Sequence, residues 1–448
     1  MGDSKVRRSA RRGRGMAVCA VVAVALAVAA LPATSGAAVR TEEGATNKAI
    51  KLGLVYSGTG VAASITGSAL QGFQARIGRQ NAQGGVNGRK IEVVTRDDGS
   101  SGANLTATQD LVDNQHVFAV VQASPFAFLS YRFLLANHVP MIGNGADGTY
   151  YQQKGNEDIL SSAGNSLPFG DVTYDTPARI MKMLGAKKIG VLAYGAASSS
   201  VSTAKSFMSY AVPEVGLDPA YTNTSVDFGT LDVSPQVLGL KNAGVDGVYL
   251  PMAASTNIAV AQGLLQNGVN MKASLLGTGY GQGFLDSPAA KALPSSALFS
   301  TPGRPVELKD AATKQFQSDL EKYAKVSGVP DFGMYTGYVL GDFFVAGLKK
   351  AGATPTRRSL IDGTHSLGTY DQAGLSCQKV DVSLANRGKA SPTTCAYVVQ
   401  LKNGKFVPFP ANGKPVQGKL VGSKQAVADA TSGAAAAATT TTAAPATP

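Results

Sequence analysis

Ile50-Lys51-Leu52-Gly53-Leu54-Val55-Tyr56-Ser57-Gly58 is the stretch that decides the architecture. Its apolar, β-branched body reads as a strand, and Ser57-Gly58 ends it in a turn. Ser64 or Thr66 follows as a candidate helix cap, and Ala69, Phe73 and Ile77 recur at four-residue steps as the apolar stripe of a helix. Ile91 to Thr95 is a second apolar run. Strand, helix and strand in that order form a βαβ unit, which belongs to a parallel sheet covered by helices.

The alternation continues outward from there. Leu105, Thr108, Leu111 and Val112 share a helix face, Val117–Val121 and Val139–Ile142 read as strands, and a helix around Phe128–Leu135 separates them. A second series starts at Lys188–Ala193, followed by a helix through Val201, Ala204 and Met208. Gly247–Leu250 with Ile258–Leu265, and then Ala273–Leu276, extend it. Single cores stop growing near 250–300 residues, so two such series predict two lobes. The expected fold class is α/β, with two doubly wound Rossmann-like lobes built on parallel sheets.

At the N-terminus, Lys5, Arg7, Arg8, Arg11, Arg12 and Arg14 precede an apolar run from Met16 to Leu31, then Pro32 and small residues including Ser35 and Ala37. That order is a secretory signal peptide, expected over 1–37. A membrane anchor would need about 20 apolar residues. Neither Arg-Arg pair is followed closely by a bulky apolar pair, which favours the general export route, and Cys19 has most of the apolar run after it instead of before it, a poor lipidation site. The expected location is outside the cytoplasm: periplasm, cell envelope or medium. The chain carries 41 basic and 29 acidic residues, a net charge of +12. Residues 1–37 hold six of the basic residues and Asp3, so about +7 remains after processing. No basic patch interleaved with aromatics is present, and no nucleic-acid partner is expected. Thr431–Pro448 is an Ala/Thr/Pro tract that cannot bury a core and reads as a disordered tail over 431–448.

Cys377 and Cys395 are the two cysteines left after processing. In an oxidising compartment an even pair reads as one disulfide, the alternative being two buried thiols. His116, His138 and His365 lie far apart, and no Cys/His cluster has metal spacing, so neither metal nor cofactor is expected.

Asn81-Ala82-Gln83-Gly84-Gly85-Val86-Asn87-Gly88-Arg89-Lys90-Ile91-Glu92-Val93, followed by Arg96-Asp97-Asp98-Gly99-Ser100, gives the chain a recognisable signature. With Ile50–Gly58 it resembles the branched-chain amino-acid binding protein family, type I periplasmic binding proteins that serve ABC importers. His138-Val139-Pro140-Met141-Ile142 is similar to that family's fourth strand, Gly185–Val191 to the first strand of its second lobe, and Tyr338–Gly352 to its late tyrosine-rich helix. The resemblance covers about 48–410.

It implies three hinge crossings, expected at Ser161–Pro168, Phe299–Gly303 and Leu367–Asp371. Lobe 1 would then combine 48–164 with 303–366, and lobe 2 would combine 165–302 with 367–420. Ligand would sit at the carboxyl ends of the strands. The candidate contacts in lobe 1 are Tyr56, Ser57 and Gly58, then Ala123, Ser124 and Phe126, then Asn144, Gly145, Ala146 and Asp147. In lobe 2 they are Tyr194, Ser198, Met252, Ala253, Gly279 and Tyr280. Ser57, Ser124 and the amides near Gly145 and Ala146 suit a carboxylate or carbonyl. Phe126, Tyr194 and Tyr280 suit an apolar body.

Amino-acid-binding relatives carry a lobe-2 acid for the ligand's ammonium, whereas Leu250-Pro251-Met252-Ala253-Ala254-Ser255 has none. That shifts the expectation to a neutral or anionic carboxylate or amide, unless Asp147 or Asp171 supplies the charge. The expected partners are a small-molecule ligand and ABC permease subunits, the chain itself being monomeric. The resemblance is to a binding protein and not to an enzyme. Gly277-Thr278-Gly279-Tyr280-Gly281-Gln282-Gly283 fails the dinucleotide spacing, and no nucleophile elbow, P-loop or HExxH occurs. An exported sensor of the same fold is the alternative.

Overall fold

The computed structural model describes residues 42–145, 147–164, 171–196, 198–389 and 393–432, with the side chains of Ser198, Ser199 and Ser432 left aside. The export segment, Ala146, part of the expected first crossing and all but the start of the tail lie outside the described residues.

Five strands come first: β1 (Ala49–Tyr56), β2 (Lys90–Asp97), β3 (Ala119–Gln122), β4 (Met141–Gly143) and β5 (Ile159–Ser161). They form one parallel sheet in the order β2-β1-β3-β4-β5. β1 is covered on both faces, which is why its sequence is a near-continuous apolar run and not an alternation; Ile50, Leu52, Leu54 and Val55 are all fully buried. The helix Ala69–Ala82 buries the predicted stripe of Ala69, Phe73 and Ile77. It lies directly on the helix Phe332–Lys350, backbone against backbone. A Cβ on Gly72 would stand 1.9 Å from the Met334 carbonyl, and one on Gly337 would stand 1.9 Å from that of Ala69. Only glycine allows that approach.

The Gly-Gly-Val-Asn-Gly-Arg turn works at the opposite end of the sheet from the strand carboxyl ends. Gly85 has φ +79°, Asn87 φ 49° and Gly88 φ +77°, so the chain reverses tightly into β2. Asn87 Nδ2 donates to Gly352 O at 2.8 Å, and Arg89 donates to Thr46 O at 2.7 Å and Ala353 O at 2.6 Å.

Past β6 (Val172–Tyr174) the second series begins: β7 (Lys188–Tyr194), β8 (Asp218–Val226), β9 (Gly247–Leu250), β10 (Ala273–Leu276) and β11 (Ala297–Ser300). The chain then returns to the first sheet through the helices Ala311–Asp319, Phe332–Lys350 and Arg357–His365 and a short ladder of β12 (Thr369–Tyr370) with β13 (Val380–Asp381). It comes back as β14 (Cys395–Ala396), β15 (Val398–Lys402), β16 (Lys405–Phe409), β17 (Val416–Gln417) and β18 (Leu420–Gly422). The second sheet runs β16-β15-β11-β10-β9-β7-β8, parallel from β11 to β8 with an antiparallel hairpin at one edge. β14 pairs with β17 and β6 with β18.

Beyond Leu367–Asp371, where the third crossing is expected, the chain again contacts the first sheet. Tyr370, Val380 and Val382 are buried in the same core as Leu52 and Phe344. Arg387 Nε donates to Gln153 O at 3.0 Å, and its Nη2 donates to Ile159 O at 3.0 Å. Tyr370, Val380, Val382 and Arg387 therefore pack with the first sheet, while Leu375 between them is buried in the cluster that holds Phe299 and Phe406. The helix ending at His365 and the glycine at 368 look like an exit. A two-residue ladder is too short to leave a periodic signal that would say otherwise.

Beside the crossings one aromatic cluster spans both halves. Tyr280, Phe284, Phe299 and Phe406 meet Phe316, Tyr335 and Tyr338 in a continuous buried core. Ring centroids lie 5.0 Å apart for Tyr280–Phe406, 4.6 Å for Phe316–Tyr335 and 6.3 Å for Tyr280–Tyr335. Among the described residues no helix is long and apolar enough to cross a membrane.

Candidate functional site

In open parallel sheets the crevice forms where neighbouring strands end and their connections diverge to opposite faces. Here two sets of strand ends face each other. Val61, just past β1, meets the loop after β8, where a Cβ on Gly229 would lie 3.7 Å from its side chain.

The first wall is organised by a residue that composition and spacing did not single out. Asp98 is fully buried, and its carboxylate accepts four hydrogen bonds. Oδ1 accepts from Ser57 Oγ at 2.8 Å and from Ser100 N at 2.9 Å, while Oδ2 accepts from Ser124 Oγ at 2.5 Å and from Asn104 Nδ2 at 3.0 Å. Asn104 Nδ2 also donates to Gln122 Oε1 at 3.1 Å, and Gln122 Nε2 donates to Thr108 Oγ1 at 2.9 Å and Ser130 Oγ at 3.0 Å. A carboxylate has about four acceptor positions, so this one is saturated. Both serine protons therefore point inward, away from any ligand. Ser124 Oγ in turn accepts from Phe126 N–H at 3.0 Å, which holds the loop that carries the Phe126 ring.

That geometry corrects the expected role of Ser57 and Ser124 as donors to a ligand carboxylate. Ser57 is 0 % exposed and lies beneath the wall. Ala123 is buried beside it, whereas Tyr56, Gly58 and Phe126 are part-buried at the surface. Gly58 N–H donates to Asp97 Oδ1 at 2.9 Å, so the β1 turn is also tied to the end of β2.

The β4 loop adds Asn144 and Asp147, both part-buried, around a buried Gly145 at φ +77° whose Cβ would stand 2.4 Å from Ser161 Oγ. Tyr150 donates its hydroxyl to the Asp147 carboxylate. Burial pushes the Asp147 carboxyl up to about 6, against the hydrogen bonds from Tyr150 and Tyr151 that favour its charged form. Tyr131, Tyr150 and Tyr151 stack beneath it with centroids 4.2 and 4.4 Å apart.

The second wall is built differently. Tyr194 is buried, its hydroxyl donating to Thr256 Oγ1 at 2.9 Å and accepting from Ala253 N at 3.1 Å, its ring 4.5 Å from that of Phe228. Met252 and Ala253 are buried too, and Met252 O accepts from Thr278 Oγ1 at 2.7 Å. Tyr280 is 1 % exposed; its hydroxyl donates to Glu307 Oε2 at 2.8 Å and accepts from Val306 N at 3.1 Å. Burial raises the Glu307 carboxyl above its usual range, while the Tyr280 hydrogen bond works the other way. Tyr194, Met252, Ala253 and Tyr280 are thus buried, with Tyr194 matched by Thr256 and Ala253 of its own half and Tyr280 matched by Val306 and Glu307 past β11. Gly279, at φ +114°, is part-buried at the strand end, and Ser198 opens the helix Ser198–Ser206 behind β7.

Apolar residues outside the expected set also lie part-buried or exposed after these strand ends. Phe228 is part-buried, Leu231 is 65 % exposed, and on the opposite side Val61 and Phe128 are 53 % and 45 % exposed. The loop Pro251–Ser255 carries no acid, and Asp227 is exposed at the end of β8.

Among the described residues no group of three or more His, Cys, Asp or Glu is placed to hold a metal ion. Cys377 and Cys395 are joined, with their Cα atoms 6.1 Å apart.

A family model described as "Periplasmic binding protein" matches residues 49–405. The Leu/Ile/Val-binding protein homolog 7 of Brucella abortus is 27% identical over 281 residues, which is 60% of this chain and 66% of that protein, so the chain spans just under two thirds of that relative's length. In structure, the fatty acid ABC transporter substrate-binding protein from Thermomonospora curvata superposes with a TM-score of 0.67 at 22% identity, covering 87% of this chain and 96% of that one. The branched-chain amino acid transporter substrate binding protein LivJ from Streptococcus pneumoniae, in complex with isoleucine, gives 0.65 at 19%, covering 83% and 100%. A solute binding protein from R. palustris in complex with benzoate gives 0.62 at 17%, covering 82% and 96%.

Proposed function

The chain belongs to the periplasmic binding protein family, and from that premise we propose that it is an extracytoplasmic solute-binding protein that closes around a small organic ligand and delivers it to an ABC importer. The first lobe comprises 48–164 with 303–387, the second 171–302 with 395–422, and the ligand lies between the two sets of strand ends. Hinge closure then brings groups from both lobes onto one molecule.

The observation that carries the ligand class is the contrast between the walls. One is backed by a buried hydrogen-bonded network around Asp98, and the other carries Phe228 and Leu231 after β8 with no acid in the Pro251–Ser255 loop. The related structures named above hold isoleucine and benzoate or are described as fatty-acid proteins, ligands that pair a carboxylate with an apolar body. A buried ammonium without a counter-charge costs several kcal/mol. Asp147 in the β4 loop already accepts from Tyr150, and Asp98 is saturated by its own donors. The ligand is therefore a carboxylate or amide with an apolar or aromatic body and no free ammonium. Its polar end meets the backbone amides of Asn144 and Gly145, and its body meets Phe126, Phe128, Phe228 and Leu231.

Native mass spectrometry of the purified mature protein identifies a retained ligand, and calorimetry with leucine and 4-methylpentanoate tests its charge. Tighter binding of 4-methylpentanoate, the same skeleton without the ammonium, is the expected result. Micromolar leucine binding abolished by Asp147→Asn or Asp227→Asn would overturn the ligand class. Uptake of the identified ligand by cells lacking the gene tests the transport role separately, because uptake at the parental rate rejects delivery to an importer.

A further inference from the structure

The Cys377–Cys395 bond sits on the boundary between the two halves of the molecule. Cys377 is three residues before Val380, which is buried in the first core. Cys395 opens β14, whose Ala396 pairs with Val416, and is three residues before Val398; Val398 and Val416 are both buried in the second core. The disulfide thus links a segment next to the first core to the start of β14 next to the second.

A second crossing is laced to the same two ends. Arg304 N–H donates to Leu375 O at 2.6 Å, two residues before Cys377. Thr301 donates from both its backbone N–H and its Oγ1 to Tyr397 O, each at 3.1 Å, two residues after Cys395. The Arg304 guanidinium lies over the Tyr397 ring, 5.7 Å from its centroid, and Nη1 reaches Asp310 at 2.8 Å. Gly303 permits the contact, since a Cβ there would stand 2.7 Å from the Leu375 carbonyl.

We propose that this disulfide is a hinge tie, making the second and third crossings bend as one unit. Closure in a two-lobed protein is absorbed by a few residues in the crossings, and separate straps can twist and splay as well as bend. A cross-link removes the conformations in which its loop is open. Placed between lobes, it removes those in which the straps move independently. The open form stays close to the path of closure, so a ligand has less disorder to overcome on binding. The consequence for binding rests on the proposed function; the coupling of the two crossings does not.

Hydrogen exchange on the ligand-free mature protein tests the coupling, comparing the oxidised form, the form reduced with a phosphine, and the Cys377→Ser/Cys395→Ser double variant. Loss of the bond is expected to speed exchange about tenfold or more at 301–306 as well as at 371–397. The strands β1–β4 and β7–β10 should be unchanged, and small-angle scattering should show a wider spread of overall dimensions. Faster exchange through all those strands would mean that the bond serves only global stability and would overturn the proposal. So would an effect confined to 371–397 with 301–306 unmoved, which marks a local staple. If the double variant does not fold, the reduced protein gives the same reading. No ligand enters the measurement, so a wrong ligand class leaves its outcome untouched.

Discussion

The two walls of the crevice reach order by opposite means. On the first, one buried carboxylate, Asp98, gathers the ends of β1, β2 and β3 and the helix that starts at Ala103 into a single hydrogen-bonded plate. On the second, no comparable charged hub is present among the described residues, and order comes from aromatic packing around Tyr194, Phe228, Tyr280 and Phe299. A hydrogen-bonded network fixes direction, because each donor must meet its acceptor; an apolar pack fixes volume and leaves direction free. A wall of the first kind suits the polar end of a ligand, and one of the second kind suits a body whose shape varies.

The contrast can be broken at either wall. Tyr280→Ala should have the largest effect, a loss of about 3–5 kcal/mol in urea unfolding, since it empties a ring-sized volume in a buried core. A loss below about 1 kcal/mol would return Tyr280 to the surface of the site.

The pH dependence of stability probes the first wall. Burial lifts Asp147 from the ordinary 3.8 to about 6, so the folded protein holds that proton more tightly than the unfolded chain does. Its contribution is complete below about 3.8 and is lost as pH rises through about 6, up to about 3 kcal/mol across that window. Asp147→Asn should flatten the fall between pH 4 and 6.5, and equal slopes in the two proteins would reject the burial.

Asp98→Asn sets amide donors against the N–H groups and hydroxyls that now meet a carboxylate. About 2 kcal/mol of stability should go, with a larger proportional loss in ligand affinity than Ser57→Ala produces. Unchanged affinity would show that the plate does not position the site. The smallest effect on folding belongs to the rim. Phe128→Ser and Leu231→Ser should each change stability by no more than about 0.5 kcal/mol while weakening capture of the ligand. If binding is also unaffected, the apolar body lies elsewhere.

Much of the architecture was legible before any coordinates. The run Ile50–Tyr56 is apolar throughout because β1 is buried on both faces, and the Ala69/Phe73/Ile77 stripe is buried as its spacing requires. The Gly-Gly-Val-Asn-Gly-Arg block identified the family, and its role proves to be structural: it turns the chain and clamps the loop at Gly352–Ala353, far from the crevice. The pairing of Cys377 with Cys395 was also available from the cysteine count and the compartment.

The candidate site was only half legible. Strand-end loops could be located from periodicity, but not which of their side chains face inward. Tyr194 and Tyr280 look like ligand walls in sequence, and burial turns them into backing. Asp98 looks like one acid in a polar loop, yet the approach of Ser57, Ser100, Asn104 and Ser124 from four points along the chain makes it the hub of a wall.

Local periodicity and the turn residues determined the elements and their order, because these depend on neighbours within a few positions along the chain. Only the tertiary structure decided which polar groups are already satisfied and which cores the segments on either side of the disulfide join. Those outcomes depend on contacts between residues tens to hundreds of positions apart, and such contacts leave no periodic trace in the sequence.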